Sequence, residues 1–219
     1  ARVLAVARGS EALEALAQDI PGVATLALDA RDEGAPAKVF DRGLPDILVI
    51  GGGVFPPTGA LHELSWDAFS INWESDAKIA FNFLKAALTR PLAPGATIVL
   101  LSSGAGLAGS PNSGGYAPAK RAQIFMANYA QKESDRLGLG LKILSLAPRI
   151  MPDTELGKYA IAGYAGYLGV SEADFVKSMS SPPSGADAAQ AVIDLVTGKA
   201  PEGSHVYIVS GVGLQAAPA

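Results

Sequence analysis

The chain has 219 residues, of which 49 % are apolar and 17 % charged, so it holds enough apolar surface to fold as one large or two small domains. Seventeen Lys and Arg against 21 Asp and Glu give a formal net charge of −4, which disfavours nucleic acid and anionic membranes as partners. The absence of cysteine excludes a disulfide framework, a thiolate metal site and a cysteine nucleophile, and the cytoplasm is the expected compartment.

Six short runs rich in β-branched residues, separated by segments of helical period, predict strands that alternate with helices. They are residues 2–7, 24–28, 46–50, 97–102, 142–146 and 205–209. This alternation is typical of an α/β fold with a doubly wound, Rossmann-like parallel sheet and helices on both faces. No apolar run reaches about 18 residues, so no membrane span is expected.

Helices are predicted where apolar residues recur three and four positions apart, over residues 10–19, 66–89 and 115–137. Breaks after the two long helices are expected at Pro91, Pro94, Gly138 and Gly140. Since neither a repeat nor a linker interrupts the chain, we expect a single domain over residues 1–219.

The segment 152–185 interrupts the alternation of strands and helices. It has no strand pattern, and it carries Tyr159, Tyr164 and Tyr167 among small apolar residues. Long excursions from α/β domains are often binding loops, so we expect an inserted lid over a substrate site. The alternative is that these tyrosines only pack against the core.

Tyr116 and Lys120 lie four positions apart at the start of a predicted helix, so both side chains project from one face. The ammonium group is then close enough to favour the ionised phenol, and the pair could exchange a proton with a carbonyl oxygen. Thirteen residues upstream, Ser103 follows a predicted strand, at the sheet edge where doubly wound folds bind ligands.

This constellation of Ser103, Tyr116 and Lys120 resembles the catalytic pattern of the short-chain dehydrogenase/reductase family. The resemblance adds Asn72 as a fourth catalytic residue, which supports a chain of water molecules. It also implies hydride transfer between a nicotinamide cofactor and a small carbonyl compound or alcohol. In this mechanism Tyr116 exchanges the proton, Ser103 orients the substrate oxygen, and Lys120 assists the tyrosine and holds the nicotinamide ribose.

The resemblance also implies a set of cofactor contacts. Residues 46–53 are similar to the family strand that ends in Asn-Asn-Ala-Gly, with Ile50 and Gly51 in place of the asparagines. The implied contacts are Asp29, Gly51, Gly52, Gly53, Tyr116, Lys120 and Pro148. Arg8, at the end of the first predicted strand, can pair with a ribose 2′-phosphate, so NADP(H) is favoured and NAD(H) is possible.

The family begins with a strand, a glycine-rich turn and a helix, whereas this sequence begins with what resembles the second strand. We expect the parent protein to contain that first unit, because its strand belongs in the middle of the sheet. The long helices 66–89 and 115–137 are those through which the family forms dimers and tetramers, so a homodimer or homotetramer is expected.

The sequence offers little support for a hydrolase or a metal site. His62 and His205 are far apart in the sequence and no G-x-S-x-G elbow exists, which argues against a serine hydrolase and against a metal site. Residues 104–109 match G-x-G-x-x-G literally, but Ser110 to Ser113 delay the following helix, which favours a flexible loop that carries Ser103. The remaining alternative is a non-catalytic, dinucleotide-binding sensor or scaffold.

Overall fold

The computed structural model describes residues 1–90 and 92–217, so the helix break expected at Pro91 lies outside the described residues. The strands are β1 Leu4–Ala7, β2 Ala24–Ala27, β3 Ile47–Ile50, β4 Thr97–Leu101, β5 Lys142–Pro148, β6 Val206–Ser210 and β7 Gly213–Ala216. The helices are α1 Ser10–Asp19, α2 Ala35–Phe40, α3 Trp66–Ser70, α4 Lys78–Thr89, α5 Tyr116–Leu137, α6 Glu155–Leu168, α7 Glu172–Ser178 and α8 Gly185–Val196. A π-helix, Trp73–Ala77, and a 3₁₀-helix, Gly104–Gly106, complete the described elements.

The strands form two sheets. β1 and β2 pair in parallel as a two-stranded sheet, and the second sheet has the order β3-β4-β5-β6-β7. Its first four strands are parallel, and β7 pairs antiparallel with β6. Over residues 1–90 and 92–217, no ladder joins β1 or β2 to β3. The parallel α/β fold is therefore confirmed, while the expectation of six strands was wrong because it omitted the antiparallel strand β7.

Helices cover the larger sheet on both faces. Alternate residues of a strand point to opposite faces, and β4 buries Ile98 and Leu100 in one apolar cluster with α2, α4 and α5. Val99 belongs to a second cluster with β5, β6 and Leu195 of α8. This double cover confirms the doubly wound arrangement. It is incomplete at β3, where Ile47 and Val49 are each nearly half exposed.

The long helix expected over residues 66–89 is divided into three. It begins as α3, widens into the π-helix directly after Asn72, and continues as α4. The widening follows from the backbone carbonyl of Asn72, which accepts hydrogen bonds from the amides of both Asp76 and Ala77. Such local π segments are frequent at functional sites. The segment 152–185, expected to be a lid, contains α6 and α7.

Candidate active site

Tyr116 and Lys120 lie one helical turn apart at the beginning of α5. Tyr116 is the first residue of the helix, and Pro118 lies in the first turn, where a missing backbone N–H breaks no helical bond. The Nζ atom of Lys120 lies 5.5 Å from the centre of the Tyr116 ring. The structure therefore brings the two side chains together on one helix face.

Gly115 determines where this helix begins relative to α3. A Cβ atom at position 115 would lie 1.6 Å from the carbonyl oxygen of Phe69, so the two backbones approach as closely as glycine allows. Because Tyr116 follows directly, this contact also sets the position of the phenol.

The ammonium group of Lys120 is buried against a carboxylate. Its Nζ donates a hydrogen bond to the carbonyl oxygen of Leu101 at 3.1 Å and lies 3.1 Å from Oδ1 of Asp76. The side chains of Lys120 and Asp76 are only 7 % and 1 % exposed. Sequence reasoning missed Asp76, although its position four residues after Asn72 places both on the same helical face.

Asn72 is fully buried beside this ion pair. Its Nδ2 donates to the carbonyl oxygen of Val54 at 3.0 Å and to Oδ2 of Asp76 at 3.1 Å. Its Oδ1 has no hydrogen-bond partner among the described residues. A buried polar atom of this kind fits a bound water molecule. The geometry is thus compatible with the predicted water chain, which stays a prediction.

Ser103 follows β4 and caps the 3₁₀-helix that the sequence had suggested to be a flexible loop. Its Oγ accepts a hydrogen bond from the amide of Ala105 at 3.2 Å, which leaves the hydroxyl hydrogen free to donate. The turn packs tightly on α5, since a Cβ atom at Gly106 would lie 2.9 Å from the carbonyl carbon of Lys120. Within the described part of the chain, Ser103 and Tyr116 form no direct hydrogen bond with each other.

Gly51, Gly52 and Gly53 present exposed backbone directly after β3. On the protein side neighbouring side chains approach this backbone closely: a Cβ atom would lie 2.9 Å from Leu101 Cδ1 at position 51 and 2.6 Å from Asp76 Oδ1 at position 53. This backbone cradle fits the close approach of a cofactor. Pro148 ends β5 beside the turn after Ser103, because a Cβ at Gly104 would lie 3.4 Å from the carbonyl oxygen of Pro148.

Arg8 and Asp29 lie after the two strands of the smaller sheet. Both oxygens of Asp29 accept hydrogen bonds from the Arg31 side chain, and Oδ1 also accepts one from the Arg31 amide. These bonds, first from the side chain and then from the backbone, lower the pKa of Asp29 to about 2, and the positive charge of Arg8 contributes a smaller part. Arg8 is exposed. The bonds from Arg31 occupy most of the acceptor sites of the Asp29 carboxylate. Its expected contact with the cofactor stays a prediction.

The tyrosines of the expected lid make different contacts. The hydroxyl of Tyr164 accepts a hydrogen bond from Ser110 Oγ at 2.7 Å, and its ring stacks on Phe175. Tyr159 meets Phe55 edge to face at 5.7 Å between ring centres, while Tyr167 is half exposed. Tyr164 therefore packs structurally, and it fastens α6 to the segment that leads into α5.

The described residues match neither the geometry of a metal site nor that of a membrane-spanning helix. Over residues 1–90 and 92–217, no group of three or more His, Asp or Glu side chains is placed to hold a metal ion. In the same part of the chain, no helix combines the length and the apolar character needed to cross a membrane.

A sequence model of the family described as enoyl-(acyl carrier protein) reductase matches residues 1–138. The matched stretch is more than half of the chain and contains Asn72, Ser103, Tyr116 and Lys120. A search of curated protein sequences found no match.

Solved structures share the fold. NAD⁺-bound xylitol dehydrogenase is 19 % identical with a TM-score of 0.80, over 95 % of this chain and 87 % of the other. ElxO with bound NADP is 22 % identical with a TM-score of 0.73, over 96 % and 87 %. An oxidoreductase of the short chain dehydrogenase/reductase family from Burkholderia thailandensis is 20 % identical with a TM-score of 0.74, over 96 % and 81 %.

Proposed function

Because the chain belongs to the short-chain dehydrogenase/reductase family of oxidoreductases, we propose that it interconverts a carbonyl compound and an alcohol with NADP(H) as cofactor. The observation that carries the proposal is the pair Tyr116 and Lys120 on one face of α5, with the ammonium 5.5 Å from the phenol ring. The substrate is a small molecule, and the expected compartment is the cytoplasm.

The proposed cofactor contacts follow from the cradle after β3. The exposed backbone of Gly51 to Gly53 would approach the cofactor, and Pro148 would line the nicotinamide side. Lys120 has a third ammonium hydrogen, beyond those directed at Leu101 and Asp76, that is free to donate to a ribose hydroxyl. When bound, the cofactor supplies or accepts a hydride.

Arg8 supports NADP(H) over NAD(H). An exposed guanidinium group at the end of β1 matches a ribose 2′-phosphate in charge and in hydrogen-bond geometry. The structurally similar proteins include one with bound NAD⁺ and one with bound NADP. The preference for NADP(H) therefore rests on Arg8 in this chain.

In the proposed mechanism, Ser103 donates its free hydroxyl hydrogen to the substrate oxygen and orients it. Tyr116 gives a proton to that oxygen in the reductive direction and takes it back in the oxidative direction. The ammonium of Lys120 stabilises the negative charge on the phenol oxygen. The orphaned Oδ1 of Asn72 would hold a water molecule through which the proton reaches solvent.

The proposal includes self-association through α4 and α5. Ile79, Phe83 and Ala87 are buried in the core, which explains one apolar stripe without any partner. The outward face is different, because it carries aromatic side chains that are each more than half exposed. They are Trp73, Phe81, Phe125 and Tyr129. An exposed apolar patch of this kind is typical of a protein–protein interface, and we propose a second copy of the chain as its occupant.

The decisive experiment is the variant Tyr116→Phe, which removes the phenol oxygen and keeps the ring. We expect loss of at least 99 % of turnover with ketones and aldehydes, following the roughly 10²–10⁴-fold contribution of general acid catalysis, while fluorescence titration shows unchanged NADPH binding. Tyr129→Phe on the outward face of the same helix is the control and retains activity. Full activity of Tyr116→Phe would overturn the mechanism, and NADPH binding without turnover in the wild type would favour the sensor alternative.

A further inference from the structure

Asp76 is a buried carboxylate beside the candidate catalytic residues, and the proposed mechanism does not use it. Its side chain is 1 % exposed, and a charge is seldom buried so deeply unless it is paired. Oδ1 faces the ammonium of Lys120 at 3.1 Å, and Oδ2 accepts hydrogen bonds from Asn72 Nδ2 at 3.1 Å and from the Val54 amide at 3.3 Å. Asp76 therefore contacts two of the four candidate catalytic residues.

The surroundings hold this carboxylate in one position. Asp76 lies in the π-helix, its backbone carbonyl accepts a hydrogen bond from Gln123 Nε2 of α5 at 2.9 Å, and its side chain is directed towards Gly53. Among the described residues, Lys120 is the charged side chain that α5 directs at Asp76. The neighbouring Glu74 and Lys78 are exposed on the outer side.

The ion pair changes the electric field at Tyr116. The carboxylate oxygen lies 3.1 Å from Nζ of Lys120, which is 5.5 Å from the centre of the Tyr116 ring, so it lies within about 9 Å of that centre. An isolated ammonium at this place would attract negative charge on the phenol oxygen. Paired with Asp76, it forms a neutral dipole, whose effect on the phenol is weaker than that of a single charge.

We propose that Asp76 is a positioning residue that holds Lys120 in place and, by neutralising its charge, weakens the attraction between the ammonium and the phenol oxygen of Tyr116. This role deepens the proposed function and rests on it for its catalytic meaning. The charge relation between Asp76, Lys120 and Tyr116 exists in the free protein, so it is tested without turnover.

The test is a spectrophotometric titration of the phenol in the free protein. Each protein is titrated beside the same protein with Tyr116→Phe, and the difference in phenolate absorbance isolates Tyr116 from the other five tyrosines. Asp76→Asn keeps the size of the side chain and removes its charge. We expect the Tyr116 midpoint to fall by roughly 0.3–1.3 pH units, the effect of one unit charge at about 9 Å for effective dielectric constants between about 20 and 80.

Two further variants separate charge from structure. Lys120→Met leaves the carboxylate unpaired, and we expect the midpoint to rise. Asp76→Asn combined with Lys120→Met removes both charges, so the midpoint should lie roughly 0.3–1.3 units below that of Lys120→Met and at most about 0.9 units above the wild type, since the ammonium lies 5.5 Å and the carboxylate within about 9 Å of the ring centre. Replacing both members of a buried ion pair is far better tolerated than removing one. Asp76→Asn against the wild type, and the double variant against Lys120→Met, each measure the effect of the carboxylate alone, so one comparison remains if the single variant in the other fails to fold.

The outcomes are distinct. The proposal is supported by a lower midpoint in Asp76→Asn than in the wild type and in the double variant than in Lys120→Met. The acidic limb of alcohol oxidation in Asp76→Asn then moves to lower pH. An unchanged midpoint in Asp76→Asn, even with a lower melting temperature, would reduce Asp76 to a structural ion pair and overturn the proposal. A double variant that titrates no lower than Lys120→Met overturns it as well. Full activity of Tyr116→Phe would instead refute the proposed function and leave the titrations interpretable.

Discussion

Gly115→Ala tests the contact that positions the candidate catalytic tyrosine. The new Cβ would lie 1.6 Å from the carbonyl oxygen of Phe69, against a limit of 3.0 Å that real Cβ atoms essentially never cross. Neither group is the end of a flexible side chain, so α3 and the start of α5 must separate by more than 1 Å. Overpacking of this kind costs about 1–3 kcal/mol or more.

The assays are thermal unfolding and steady-state kinetics. For a chain of this size about 1 kcal/mol corresponds to roughly 2–4 °C, so we expect the melting temperature to fall by roughly 4–12 °C for a cost of about 2–3 kcal/mol. Displacement of the adjacent Tyr116 by about 1 Å should lower kcat/KM by about 100-fold. Gly166→Ala is the matched control, because its Cβ meets open space within α6 and should leave the protein equally or slightly more stable. If Gly115→Ala melted and reacted like Gly166→Ala, the close approach of α3 to α5 would be refuted.

Three further predictions concern the cofactor side and the outer face. Arg8→Ala should raise the KM for NADPH by about 10–100-fold, which corresponds to the loss of one charge-assisted hydrogen bond, and leave the KM for NADH within twofold. Equal increases in KM for both cofactors would refute the contact between Arg8 and the 2′-phosphate. Arg31→Ala should raise the pKa of Asp29 from about 2 towards its ordinary value of 3.8, as seen by NMR. Since the folded-state pKa is lowered, the stabilisation from this pair is present above about pH 4 and lost as the pH falls through 2. Phe81→Asp combined with Phe125→Asp should yield monomers in light scattering, and a monomeric wild type would contradict self-association through this face.

The strand pattern was predictable where burial dictated it. β4 and β5 are apolar on both faces because helices cover both, and this condition produces the continuous runs seen in the sequence. β7 was missed because Gly213–Ala216 contains no β-branched residue and gains its partner only when β6 is in place. The π-helix was missed because its residues continue the apolar period of α4. The widening itself arises from the Asn72 carbonyl, which accepts hydrogen bonds from two successive backbone amides, and this bonding is not visible in the sequence.

The candidate site was predictable where residue type and spacing carry the chemistry. Tyr116 and Lys120 share a face for the same reason that any residues four apart on a helix do. Asp76 has the same spacing from Asn72, but its burial was not predictable, since a carboxylate on a helix is most often exposed to solvent. Its burial results from the tertiary contact with Lys120 and from the absence of a side chain at Gly53, neither of which can be derived from local sequence.

Within these 219 residues β1 and β2 form a ladder of their own, and this arrangement has a consequence for the motion of a chain made of these residues. A two-stranded ladder is marginally stable by itself, and the residues of β1 and β2 are only partly buried, whereas those of β4 are almost completely enclosed. Amide hydrogens of β1 and β2 should therefore exchange with deuterium well before those of β4 and β5. Arg8 and Asp29 follow these two strands. A dinucleotide bound there would use part of its binding free energy to order the backbone, and slower exchange of the amides in residues 4–27 would report the binding.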